Sequence, residues 1–212
     1  MKSAATELRI GIDFDNTIIA YDEVFCAEAK RCGLIDSDFI GSKQAVRDAI
    51  RLLPDGELAW QRLQGQVYGK GIVGGVVMPG VEAFLHRCKA ERCEVAVVSH
   101  KTEFGHYDPD QVNLRKAAFD WMAANGLVGD AKAIPATNIY FESTRAEKLR
   151  RIRSLSLTHF IDDLEEVLTD PDFPPRIKRI LFSSKEPFEV ATYAVCPTWR
   201  DIEHQIFEGV DD

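Results

Sequence analysis

Two carboxylates, Asp13 and Asp15, follow directly on the apolar run Leu8, Ile10, Ile12, and a hydroxyl comes after them at Thr17. A second acid pair, Asp162 and Asp163, closes the run LTHFID; Ser99 ends the run EVAVVS, and Lys148 stands in TRAEKLRRI, ahead of the second pair. Taken singly, each has an ordinary use. Asp builds turns, Ser opens them, lysine is solvated on a helix face, and acids cap the helix that follows them. Their combination in one chain is much harder to assign to structure alone.

As a set, these residues meet the needs of attack on a phosphate monoester. A hard divalent cation such as Mg²⁺ takes oxygen ligands and keeps several waters, so two carboxylates from different strand ends, Asp13 and Asp162, suffice to hold it. Asp13 can attack phosphorus and form an aspartyl-phosphate, which splits one hard step into two easier ones. Ser99 and Lys148 can hold phosphoryl oxygens while charge spreads over them. Asp15 falls on the face of Asp13 if the strand persists that far; it can protonate the leaving alkoxide and then activate water.

Such groups need elements that deliver them to one edge. The β-branched run before Asp13 reads as a buried strand with acids at its carboxyl tip, where open α/β sheets carry their chemistry. After Thr17, IIAYDEVFCAEAKRCG has helical periodicity and stops at a glycine. Further helices are expected over about 42–53 and 57–68, so residues 21–70 form a helical insertion without strands. The stretch YGKGIVGGVVMPG, with four glycines between positions 69 and 75, is a loop or a hinge. From Pro79 onward helices and strands alternate, which implies a parallel sheet with crossover helices. Helices are expected over about 80–91, 110–125, 144–155, 164–169 and 199–207; strands over 94–100, about 138–141, LTHFID, IKRILFSS and about 194–196.

The motifs resemble those of the haloacid dehalogenase (HAD) superfamily. IGIDFDNT matches its first motif, an apolar strand ending in DxDx[TV]; VAVVSH matches the second, Lys148 the third and THFIDD the fourth, in the family's order from Ile10 to Asp163. The resemblance implies an α/β, Rossmann-like core with a parallel sheet flanked by helices (1–20 and 71–212), plus a small helical cap at 21–70. It also implies Mg²⁺ dependence and a metal site of the Asp13 carboxylate, the Asp15 main-chain carbonyl and Asp162, with Thr17 and Asp163 in support. Caps at this point close over small phosphorylated metabolites. Lys43 and Arg47 are either contacts to an anionic substrate tail or a solvated helix face, and the loop KTEFGHYDPDQ is a second specificity candidate.

Composition removes other classes. The net charge of −8 disfavours nucleic acid and anionic lipid as partners. Five cysteines without a CxxC pair indicate neither a disulfide framework nor structural zinc, and suit reduced thiols in the cytoplasm. No run approaches the ~18 apolar residues of a membrane helix, and MKSAATELRI has no apolar leader core. No P-loop GxxxxGK[ST] is present. A signalling receiver domain would place its acid pair before its phosphorylated Asp, the reverse of the order here. Dehalogenation has no use for Asp15. A phosphomutase or phosphotransferase shares every motif, and a catalytically silent binding protein on the same scaffold is the remaining alternative.

Overall fold

A computed structural model describes residues 7–108, 110–184 and 192–208. The chain forms two compact units, one of Met1–Ile18, Val77–His100 and Gly126–Asp212, the other of Ile19–Val76 and Lys101–Asn125. The amino-terminal stretch read for a leader falls largely in residues 1–6, outside the described residues.

The first unit is built on a six-stranded, wholly parallel sheet. Its strands are β1 (Arg9–Ile12), β4 (Glu94–His100), β5 (Ile139–Glu142), β6 (His159–Asp162), β7 (Lys178–Phe182) and β8 (Ala194–Cys196), in the order β5-β4-β1-β6-β7-β8. A buried parallel sheet reads as continuous apolar runs, which is how RIGI, VAVVS and HFID were legible. One face packs α6 (Arg145–Ser154) and α7 (Glu165–Leu168), burying Leu149, Ile152, Val167 and Leu168 against Phe160, Val98 and Leu181. The other packs α4 (Val81–Ala90) and α8 (Trp199–Phe207), where Phe84 and Trp199 lie 5.0 Å apart. The α8 start carries a capping box between Thr198 and Asp201, and the Trp199 indole N–H donates to the Thr17 carbonyl at 3.1 Å.

Gly11 in the central strand is there for space. A Cβ at this position would lie 2.5 Å from both Leu157 Cδ1 and Phe160 Cδ2, closer than packed carbons approach.

The second unit holds α1 (Asp22–Arg31), α2 (Lys43–Arg51), α3 (Gly56–Tyr68), a 3₁₀ turn (Lys70–Gly74) and α5 (Leu114–Ala124). Its core is aromatic. Phe25 stacks on Trp60 at 5.0 Å, and Tyr68 meets Tyr21 edge to face at 5.1 Å. This unit is wider than the expected 21–70 insertion, because it also takes in Lys101–Asn125. The reason is visible in α5, whose Trp121 is buried and donates its indole N–H to the Gly75 carbonyl at 3.1 Å. Residues 21–70 carry no strand, as expected; just outside them β2 (Ile19–Ala20) and β3 (Val76–Val77) form a two-stranded sheet.

Helix α5 begins at Leu114, later than the expected 110. The Asp108 carboxylate accepts from the backbone N–H groups of Asp110 (3.1 Å) and Val112 (2.9 Å), and Gln111 takes φ 47°. A side chain that satisfies these donors holds the segment as a turn. Asn113, whose side chain accepts from Lys116 N, is the actual N-cap.

Candidate active site

Strand register brings the expected groups to one edge. Ile12 pairs with Val97 on one side and Ile161 on the other, so Asp13, whose N–H donates to the Ile161 carbonyl at 2.9 Å, stands level with Asp162. Ser99, 1% exposed, lies one residue further along β4. Helix α6 supplies Lys148. Its first turn is fixed by Thr144, whose hydroxyl oxygen accepts from Glu147 N, and Lys148 follows directly on the buried side.

Lys148 Nζ donates to Asp13 Oδ1 and to Asp162 Oδ2, each at 2.6 Å, and all three side chains are almost fully buried. Two carboxylates thus share one ammonium in a desolvated place. Burial drives the Asp13 carboxyl up to about 7; Lys148 opposes this, while Asp162 and Asp15 add to it. Burial alone would lower Lys148, but Asp13 and Asp162 hold it above the ordinary lysine value.

Carboxylate oxygens of Asp13, Asp162 and Asp163 all lie within 4.8 Å of one another. Three hard oxygen donors around one point, carrying more negative charge than a single lysine neutralises, fit a divalent cation of the Mg²⁺ type. Asp162 is held in place from both sides, since its Oδ1 accepts from Leu164 N at 3.0 Å while Oδ2 meets Lys148. Asp163 accepts from the Asn16 side-chain amide at 3.3 Å.

Strand β1 stops at Ile12, so Asp15 does not continue it. The chain turns instead: Ile18 N donates to the Phe14 carbonyl at 2.9 Å and Asn16 adopts φ 58°. Asn is among the few residues that take the left-handed region at small cost. Asp15 sits half-buried on this turn, near enough to Asp13 to raise its pKa. Thr17 is buried, and its hydroxyl oxygen finds no hydrogen-bond partner among the described residues.

One feature of the site was missed in the sequence: the Asn16 to Asp163 bond had no signal beyond Asn standing beside an acid. Away from the site, at the amino end of β6, His159 is buried beside Thr158, whose hydroxyl lies 2.9 Å from its Nδ1. Of the two candidate tail contacts, Arg47 is paired with Asp48 at 2.8 Å. Lys43 is placed among aromatic rings.

Fold and site together define an α/β protein with a parallel sheet whose carboxyl edge gathers acids and one lysine. Solved structures narrow the class. A HAD-superfamily hydrolase from Ehrlichia chaffeensis is similar at 14% identity and TM-score 0.55, with 96% of this chain and 97% of that chain covered. The protein tyrosine kinase A of Mycobacterium tuberculosis is similar at 13% identity and TM-score 0.59, with 96% and 99% covered. A HAD family hydrolase from Deinococcus radiodurans, solved with bound phosphate and sodium, is similar at 11% identity and TM-score 0.54, with 96% of each chain covered. Other matching structures are described as a dehalogenase and as a predicted phosphoglycolate phosphatase. No family model matches the chain, and no curated protein matches it in sequence. The protein has the fold of the haloacid dehalogenase superfamily.

Proposed function

We propose that the protein is a Mg²⁺-dependent phosphatase of a small phosphorylated metabolite, working through an aspartyl-phosphate on Asp13. The observation that carries this reading is the sharing of the Lys148 ammonium by Asp13 and Asp162, 2.6 Å to each, beside Asp163 at the ends of adjacent parallel strands. The phosphate bound in the Deinococcus radiodurans structure is in keeping with it.

Asp13 attacks phosphorus in line, the P–O bond to the alkoxide breaks, and Asp15 gives that alkoxide its proton. Asp15 then takes a proton from water as the water attacks the aspartyl-phosphate; inorganic phosphate leaves and Asp13 is regenerated. Lys148 and Ser99 hold the phosphoryl oxygens as negative charge spreads over them. The cation, held by Asp13, the Asp15 main-chain carbonyl and Asp162 with Asp163 in support, would supply charge screening between nucleophile and substrate. Thr17 steadies the turn that carries Asp15. The described cysteines are all free, in keeping with a cytoplasmic protein.

The test is phosphate release from a panel of phosphomonoesters with and without Mg²⁺, for wild type and Asp13→Asn. Metal-dependent release that falls by at least about 10³-fold in the variant is expected; wild-type rates in the variant would remove Asp13 as nucleophile. Asp15→Ala should lose about 10²-fold or more on alkyl phosphates and much less on aryl phosphates, whose leaving groups need no proton. Equal losses on both would end the acid role. The kinase among the similar structures favours one second reading, phosphoryl transfer to an acceptor other than water. It would show as turnover only when an alcohol acceptor is added.

A further inference from the structure

In the first unit, helix α4 ends in a turn that brings two thiols together. The N–H of Cys93 donates to the Cys88 carbonyl at 2.8 Å, the N–H of Arg92 donates to the Lys89 carbonyl at 3.2 Å, and Arg92 takes φ 58°. This is the Schellman ending of a helix, which lays the side chains at the positions of Cys88 and Cys93 against each other. The two thiols are hydrogen-bonding neighbours, and both are free. In the reduced chain they serve as the small apolar pair that such a turn calls for.

The backbone fixes the span between them. With 2.8 Å from the Cys88 oxygen to the Cys93 nitrogen, covalent geometry keeps the two Cα atoms within about 6.7 Å of each other. Disulfides span about 4.4–6.8 Å between Cα atoms, so a bond here asks for side-chain rotation and no movement of the backbone. Access is unequal. Cys88 is fully buried and Cys93 half-buried. Burial holds both thiols above the ordinary cysteine range, Cys88 the more strongly. A reagent in solution therefore meets Cys93 first, and reacts slowly.

We propose that Cys88 and Cys93 form a reversible disulfide clasp at the turn between α4 and β4, made and broken by exchange with a small disulfide of the glutathione type. Cys93, as thiolate, attacks one sulfur of that disulfide; the S–S bond breaks, one small thiol leaves, and a mixed disulfide remains on Cys93. The Cys88 sulfur then attacks the Cys93 sulfur and expels the second small thiol. Two electrons and two protons pass from the protein thiols to the small disulfide, which ends as two thiols. Because the second step is intramolecular, a buried thiol reacts that the reagent never touches. The clasp lies at the amino end of β4, whereas Ser99 lies near its carboxyl end. It bears on stability by restraining the unfolded chain, and it is independent of the phosphatase reading.

The test incubates the folded full chain with glutathione disulfide, blocks the remaining thiols, and maps tryptic peptides by mass without reduction. Lys89 and Arg92 place the two cysteines on separate peptides, 88–89 and 93–101. In wild type these should appear joined, less two hydrogens, and dithiothreitol should part them. Cys93→Ser should leave Cys88 unmodified, and Cys88→Ala should keep glutathione on Cys93. The exposed Cys32 reports that the reagent has acted. Glutathione retained on Cys93 in wild type, both thiols untouched while Cys32 is modified, or a link that forms only in urea overturns the proposal. The clasped protein should also unfold at a higher urea midpoint than the reduced one. A lower midpoint would mean that the bond distorts the turn, and would equally overturn it. Circular dichroism confirms that each variant is folded.

Discussion

Lys148 is the residue on which the site balances. Removing one partner of a buried charged cluster leaves the rest uncompensated, at about 3–5 kcal/mol. Lys148→Met leaves Asp13 and Asp162 buried without their shared cation. We therefore expect it to destabilise the protein by about that amount in urea unfolding without metal. Asp13→Asn has the opposite character, since it removes one of two acids competing for one ammonium, and it should unfold at the wild-type midpoint or above it. Mg²⁺ should raise the melting temperature of wild type in a concentration-dependent way and of Asp162→Asn far less, as expected for a ligand of the folded state alone. An equal rise in both would take Asp162 out of the metal site.

At the scale of elements, β1 and β6 lead into the site, and between them there is no room for a Cβ on Gly11. Gly11→Ala would push a methyl group into Leu157 and Phe160, an overpacking of about 1–3 kcal/mol that should also lower turnover, because Asp13 lies two residues along the chain, just past the end of the strand. His159 gives β6 a pH signature. Burial, assisted by Lys178, lowers its pKa to about 4 from 6.5. Below pH 6.5 the unfolded chain binds a proton that the folded one refuses, so stability must drop as pH falls from 6.5 toward 4, by up to about 3 kcal/mol from this group. The fall should be shallower in His159→Gln; identical slopes would show that the imidazole is not held neutral.

These strands were the legible part of the sequence, because an apolar run that ends in acids announces both the strand and its tip. What was hidden had a local reason. Two-residue strands such as β2 and β3 are too short to show a period, and the late start of α5 depends on one Asp108 side chain capturing two backbone donors. The site residues could be named in order, but that Lys148 would bridge Asp13 and Asp162 is a matter of sheet order and register. His159 reads in sequence as any polar residue at a strand start.

For the molecule as a whole, the second unit is assembled from two separate segments. Trp121 of α5 is buried and bonded to Gly75, and Gly65 and Gly105 approach so closely that a Cβ on Gly105 would lie 2.7 Å from Gly65 Cα. Excision of residues 21–70 alone should therefore expose the apolar face of α5 and yield a protein that binds a hydrophobic dye and aggregates. A transplant of this unit would have to carry Lys101–Asn125 along with Ile19–Val76. Dye binding and sedimentation of the excised chain would check this; a compact monomer would show that α5 stands without its partners.

The strand order has one more effect, on the time course of synthesis. β1 sits between β4 and β6, with Ile10 opposite Val95 on one side and His159 on the other. A ribosome adding about 5–20 residues per second needs about 4–17 s after making β1 to reach β4, and longer to reach β6. Throughout that interval the strand that leads into Asp13 is an unpaired apolar segment. Helices of the intervening segment can form meanwhile, since local contacts need no distant partner. The nascent chain thus passes through a state with helices formed and its central strand open, and that is when a holdase chaperone would have most to protect.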